Sequence, residues 1–252
     1  MQARYPDLEG RTVLISGGAS GIGEALVCAF ARQGAKVGFV DLAAEQGEHV
    51  VSLLRGEGHT VAFRQCDITD EAAYQQAIAE LAQALGSITV LVNNAANDVR
   101  HTLDEVDSAT FDKLISVNLK HAFCATRAVV PMMKLAGQGS VINLGSIGWM
   151  MASAGYPVYA ASKAATHGMT RGLARELGSS GIRVNTLVPG WVMTQKQLAL
   201  WVDDDARALI DRSQCLPGSV MPEHIANMAL FLAAEASNMC TAQNFIVDGG
   251  WV

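Results

Sequence analysis

Tyr159-Ala160-Ala161-Ser162-Lys163 sets a phenol and an ammonium at i and i+4. On a helix these side chains share a face, one turn apart. A free phenol ionises near about pH 10. A cation close by favours the phenolate, which makes a usable general base nearer neutrality. Upstream, Ser146 follows the apolar run Ser140 to Leu144, and its hydroxyl can hold a reacting oxygen. Asn118 lies in Ser116-Val117-Asn118-Leu119, a helical stretch. Its amide can hold a backbone carbonyl, or a water leading to Lys163. Taken singly, Ser146 reads more readily as a turn residue and Asn118 as a local helix hydrogen-bonder. Tyr156 is a rival tyrosine, but the residue four positions on is Ala160, so it reads as a pocket or packing residue.

A second cluster lies near the start of the chain. Ser16-Gly17-Gly18-Ala19-Ser20-Gly21-Ile22-Gly23 joins a strand-like run, Thr12 to Ile15, to a helical stretch predicted over 24–33. Gly17, Gly21 and Gly23, with Ser20 and Ile22 between them, let the backbone turn sharply and approach a pyrophosphate. The helix N-terminus then offers free amides to the phosphates. Asp41 ends the next strand-like run, at about the 20-residue offset of a ribose-binding acid. A carboxylate there accepts from the ribose hydroxyls and repels a 2′-phosphate. Neither Ala19, Ser20 nor Leu42 is basic, so the expected cofactor is NAD rather than NADP.

These residues need a scaffold that brings strand ends together. Apolar runs at 12–15, 36–40, 60–63, 89–92, 140–144, 183–188 and 244–247 alternate with helical segments. Runs apolar on both faces suit parallel strands covered on both sides. One such helix has Thr69 as its expected N-cap, Asp70 and Glu71 in its first turn, and Gly86 at its end. The fold class predicted is α/β: a Rossmann-type, doubly wound parallel sheet with helices on both faces, as one domain over 1–252.

Composition narrows the partners. Half of the 252 residues are apolar and 17% are charged, which excludes a disordered chain. So little charge suggests either subunit contacts or simply a large core. A net charge of −6 makes nucleic acid and anionic membrane poor partners. No apolar run approaches the ~18–20 residues of a membrane helix, and the first residues lack the apolar core of a signal peptide. Five scattered cysteines without a CxxC pair suit reduced thiols and a cytoplasmic location. The histidines show no metal-ligand spacing, so no metal is expected.

The ordered set Gly17-x-x-x-Gly21-Ile22-Gly23, Asp67, Asn93-Asn94-Ala95, Asn118, Ser146, Tyr159-x-x-x-Lys163, Pro189-Gly190 and Val247-Asp248-Gly249-Gly250 resembles the short-chain dehydrogenase/reductase family over nearly the whole chain. The resemblance implies a seven-stranded sheet and a tetrad of Asn118, Ser146, Tyr159 and Lys163. It implies that Asp67, with Ile68 beside it, meets the adenine, and that Asn94 lies along the cofactor. Lys163 would bind the nicotinamide ribose, while Pro189, Val192 and Thr194 would hold the carboxamide. Homotetramers are usual in the family. Two departures are mild: Ser16 stands for the usual threonine and Ala96 for the usual glycine.

The substrate is read from what surrounds these motifs. A lid is expected over about 194–217. Asn97, Asp98, Ser146, Trp149, Tyr159, Trp191 and Gln195 are the expected substrate contacts, since a polyol needs both hydrogen-bonding side chains and aromatic faces. The tryptophans read equally well as core or subunit contacts. The stretches Asn93 to His101, Ile142 to Ile147, Val188 to Val192 and Gln214 to Pro217 also resemble the bacterial pentose-oxidising members of the family. That resemblance implies NAD-dependent oxidation of a cyclic aldose at C1 to its lactone, D-xylose first. L-Arabinose, D-galactose, D-glucose and L-fucose stay open. A ketone or 3-oxoacyl reductase is the rival enzyme, and a catalytically silent dinucleotide-binding protein is the non-enzymatic reading.

Overall fold

The computed structural model describes residues 3–252. Strands and helices alternate: β1 (Thr12–Ser16), α1 (Gly21–Arg32), β2 (Lys36–Asp41), α2 (Ala44–Gly56), β3 (Val61–Gln65), α3 (Glu71–Leu85) and β4 (Ile88–Asn93). After β4 come α4 (Ser108–Ile115), a π turn (Ser116–Lys120) and α5 (His121–Ala136), then β5 (Gly139–Leu144), α6 (Pro157–Leu177) and β6 (Ile182–Pro189). The chain closes with α7 (Gln195–Leu200), α8 (Asp204–Ser213), α9 (Pro222–Ala233) and β7 (Asn244–Val247).

The seven strands form one sheet in the order β3-β2-β1-β4-β5-β6-β7, and every pairing is parallel. Alternate residues of each strand face opposite sides. Val13, Ile15, Val90 and Val92 pack with α1, α2 and α9, alongside Phe30, Leu54 and Leu230. Leu14, Leu91 and Val141 pack with α3, α5 and α6, alongside Tyr74, Leu81 and Met133. Covering both faces is what makes these strands apolar throughout.

Chain order reverses between β1 and β4, where doubly wound sheets open a crevice. Ser16 stands level with Asn93, and Asn93 with Asn143. Below the crevice, Asn93 Nδ2 donates to Asn143 Oδ1 at 2.8 Å, and Asn143 Nδ2 to Thr170 Oγ1 at 3.0 Å. Thr186 Oγ1 bonds Thr170 Oγ1 at 2.8 Å. This buried chain of amides and hydroxyls ties β4, β5 and β6 to α6, the helix that carries Tyr159.

Two helix starts differ from the sequence reading. The N-cap of α3 is Asp70, whose carboxylate accepts from Ala73 N at 3.1 Å. Thr69 does not cap, because its hydroxyl is spent on Asp67 Oδ1 at 2.7 Å. The first helix begins at Gly21, so the last two glycines of the loop form its first turn. Among the described residues no helix is long and apolar enough to cross a membrane, and the five cysteines are free. Replacing Asp70 by Ala should cost about 1 kcal/mol, a fall of roughly 2–4 °C in thermal unfolding. Thr69→Ala should cost less, and the reverse order would reject this cap.

Candidate active site

The helix α6 starts at Pro157, a residue whose fixed φ suits the first helical position. It runs under the C-terminal ends of β5 and β6 and carries Tyr159 and Lys163 on one face. Lys163 Nζ donates to the Leu144 carbonyl at 2.8 Å, at the end of β5. Its ammonium lies 5.6 Å from the centre of the Tyr159 ring. Ser146, two residues past β5, is extended; its Oγ accepts from Gly148 N at 3.0 Å and hydrogen-bonds the Tyr159 phenol.

Asn118 sits inside the π turn between α4 and α5 and is buried. Its Oδ1 accepts from Asn97 N at 2.8 Å and its Nδ2 donates to Asn97 O at 3.0 Å. The amide thus clamps the backbone after β4 at two points. A π turn inserts an extra residue into a helix. Beside it, His121 is fully enclosed. Burial, with Lys163's charge second, pushes its pKa down to about 3, so the imidazole is neutral.

Burial dominates the electrostatics of the pair. It pushes the Tyr159 phenol up to about 12; the hydrogen bond with Ser146 pulls the other way, Asp98's charge adds to the rise and Arg100's opposes it. Burial also pulls Lys163 down to about 8, with Asp98 opposing. Desolvation is thus the largest influence on the phenol in the chain by itself; the sequence reading has the phenolate favoured by the Lys163 ammonium together with the positive ring of an oxidised nicotinamide.

A groove of about 1350 Å³ runs along the strand ends, lined by Gly17, Ser20, Gly21, Ile22, Gly23, Asp41, Leu42, Asp67, Ile68, Asn94 and Thr194. Gly17 has φ +71°, and a Cβ on Gly23 would lie 1.7 Å from the Gly17 carbonyl oxygen. Only glycine fits at that crossing. Ser20 makes no side-chain cap, so the first amides of α1 are left for a ligand. Asp41 caps the loop from the side: Oδ2 accepts from Ala19 N and Oδ1 from Ala43 N, both at 3.0 Å. Asp67 accepts from the Thr69 hydroxyl and amide, which holds its carboxyl below the usual range. The side chain of Asn94 is spent on the loop, donating to Ser16 O at 3.0 Å and Gly17 O at 2.9 Å. An elongated groove with a glycine crossing and free helix amides fits a dinucleotide.

A smaller pocket of about 330 Å³ opens beside it, lined by Ser146, Tyr159 and Lys163 together with Pro189, Val192 and Thr194. Asp98 and Trp191 also line it, as expected from the sequence. Three other expected contacts lie elsewhere. Trp149 turns its indole toward His167, with Nε1 3.4 Å from Nε2 and the rings edge to face. Asn97 Oδ1 accepts from Val99 N, and its backbone is held by Asn118. Gln195 is exposed on the larger groove. Gln197 takes its place in the small pocket, because Thr194 caps α7 and the helix turns residue 197 inward. Sequence reasoning also missed Trp251, whose ring lies 6.5 Å from that of Trp191. No local motif marks a residue brought in from the C-terminus.

Asp98 is engaged from α7, in the segment expected from the sequence to form a lid. It accepts from Lys196 Nζ at 2.5 Å and from Gln197 Nε2 at 2.7 Å, and Gln197 Oε1 accepts from Trp191 Nε1 at 3.0 Å. Burial works against this carboxylate, yet Lys196 and Gln197 hold its pKa low. The far end of the lid is pinned by Cys215 N and Leu216 N, which donate to Gly249 O.

A family model described as enoyl-(acyl carrier protein) reductase matches residues 17–252. The D-xylose 1-dehydrogenase of Caulobacter vibrioides (strain NA1000 / CB15N) is 43% identical over 249 residues, covering 99% of this chain and 98% of that protein. The chain is a short-chain dehydrogenase/reductase. This oxidoreductase is also 41% identical to the probable galactose dehydrogenase of Rhizobium meliloti (strain 1021), over 98% and 97% of the two chains. The gluconate 5-dehydrogenase of Burkholderia cenocepacia J2315, solved in complex with NADP and tartrate, superposes with a TM-score of 0.90 at 30% identity, over 98% of this chain and 97% of that one.

The Ser146 hydrogen bond lowers the Tyr159 pKa, so its loss raises the pH needed to form phenolate. For Ser146→Ala, the rising limb of the oxidation rate against pH should move to higher pH. The plateau should fall by roughly 10²–10³. An unmoved limb would show that Ser146 does not tune the phenol.

Proposed function

We propose that the protein is an NAD-dependent sugar 1-dehydrogenase that oxidises the C1 hydroxyl of a cyclic aldose, D-xylose first, to the lactone. One observation carries this reading: Tyr159 and Ser146 face a small pocket walled by Trp191 and Trp251 and edged by Gln197 and Asp98. A pyranose offers C–H faces to stack on rings and hydroxyls to bond amides and carboxylates. The identities of 43% and 41% to a xylose and a probable galactose dehydrogenase point the same way.

The dinucleotide, when bound, supplies the hydride acceptor. Gly17, Ser20, Gly21, Ile22 and Gly23 would hold its pyrophosphate, Asp41 and Leu42 the adenosine ribose, and Asp67 and Ile68 the adenine. Asn94 braces the loop. Lys163 would hold the nicotinamide ribose, and Pro189, Val192 and Thr194 the carboxamide. Tyr159 Oη takes the proton of the anomeric hydroxyl, while Ser146 Oγ holds the same oxygen. Lys163 keeps positive charge beside the phenol. Asn118 fixes the loop that carries Asp98.

Asp41 supports NAD over NADP. Its carboxylate stands at the ribose end of the groove, and two cations lining that groove are already paired: Arg32 with Glu57 at 3.2 Å and Lys196 with Asp98. A 2′-phosphate would meet a carboxylate with neither of these free to offset it. Free cysteines suit a cytoplasmic location. The exposed apolar side chains of Leu103, Phe111 and Phe123 suit burial in a homotetramer.

Initial rates by NADH absorbance, with aldoses, a simple secondary alcohol and a 3-oxoacyl thioester, test the reading. D-Xylose with NAD should lead, and NADP should trail by at least about tenfold, the size of a ~1.4 kcal/mol contact. Asp41→Ala should narrow that gap. A thioester or plain alcohol turned over as well as every aldose would refute the sugar assignment. Equal use of NADP would refute the role of Asp41.

A further inference from the structure

Arg100 belongs to the loop between β4 and α4 and lines the small pocket with Ser146 and Tyr159. Its guanidinium carbon lies 4.1 Å from the centre of the Tyr156 ring and 5.2 Å from that of Trp201. Tyr156 begins the catalytic helix and packs edge-on against Tyr159, ring centres 5.6 Å apart. Trp201 ends α7 in the lid. The cation thus bridges lid and catalytic helix through two aromatic contacts.

The other charged groups of the pocket are already committed. Lys163 donates to Leu144 O, and Asp98 accepts from Lys196 and Gln197. Among the described residues Arg100 has no ion pair. Stacking occupies the faces of a guanidinium and leaves its N–H edges available. Those edges donate and never accept, so they suit oxygen lone pairs on a ligand. The anomeric oxygen is taken by Tyr159 and Ser146, and Arg100 stacks on Tyr156, whose ring packs edge-on against that of Tyr159.

We propose that Arg100 is a specificity-determining residue that donates to sugar hydroxyl oxygens remote from C1, and that Trp201 positions it. The proposal rests on the aldose reading above. It assigns substrate discrimination to a residue outside the tetrad and gives the lid a physical task. When Trp201 leaves, the guanidinium loses one of the two rings that orient it.

The test is steady-state kinetics of the full-length enzyme at saturating NAD, with D-xylose and its 3-deoxy and 4-deoxy analogues as substrates. Arg100→Met keeps the stem and removes every donor. It should raise the KM for D-xylose roughly tenfold to a hundredfold, the range for a hydrogen bond from a charged group, with a much smaller change in kcat and in the KM for NAD. At least one deoxy analogue should be poorer than D-xylose for the wild type and equal to it for Arg100→Met. Trp201→Ala should reproduce part of the KM rise, and Arg100→Lys should recover part of it. Sugar titrations of the inactive Tyr159→Phe background, followed by tryptophan fluorescence with and without Arg100→Met, should show the same loss as binding. A wild type active on D-xylose whose Arg100→Met variant keeps its KM would overturn this proposal alone. So would a uronate bound more tightly than every neutral aldose through Arg100. A wild type that oxidises no aldose would overturn the sugar reading as well.

Discussion

The bond from Lys163 Nζ to the Leu144 carbonyl sets the geometry of the site. It joins α6 to the end of β5, where the chain turns toward Ser146. Through it, a buried ammonium has a fixed partner and a fixed distance to the phenol. Lys163 is buried and Tyr159 half-buried beside it, and desolvation disfavours the charged form of each. A desolvated phenol is a poor base in isolation. It becomes a good one when positive charge is added nearby, because fields act strongly where water is absent. On the proposed function, chemistry is thereby coupled to the filling of the neighbouring groove.

The remaining elements serve that pair. The Asn93–Asn143–Thr170 chain holds the strand ends against α6. Asn118, in its π turn, fixes the backbone at Asn97 and hence the loop bearing Asp98 and Arg100. From the opposite side, Lys196 and Gln197 grip Asp98 and bring the lid over the pocket. The proposed substrate contacts thus lie on segments held by hydrogen bonds, which limits how far the pocket can loosen.

Much of this was legible in the sequence, for physical reasons. Parallel strands buried on both faces write themselves as apolar runs, so the seven strands and their order of appearance could be read. Glycines at a phosphate loop are forced by contact distance, as Gly23 against Gly17 shows. Tyr159 and Lys163 announce themselves by helical spacing. What sequence missed depends on where side chains turn. Trp149 was expected at the pocket and faces His167, while Trp251 arrives from the far end of the chain. Gln195 and Gln197 are equivalent on paper; the cap at Thr194 decides which one turns inward.

Tyr159 as the single proton acceptor is the claim on which the account turns, and Tyr159→Phe tests it most directly. Single-turnover and steady-state rates, with NAD affinity by titration calorimetry, are the quantities to compare. The account predicts turnover reduced by at least ~10²–10⁴, with NAD affinity and folding kept. A variant retaining more than a few per cent of wild-type turnover would contradict it and move the base to Tyr156 or to solvent.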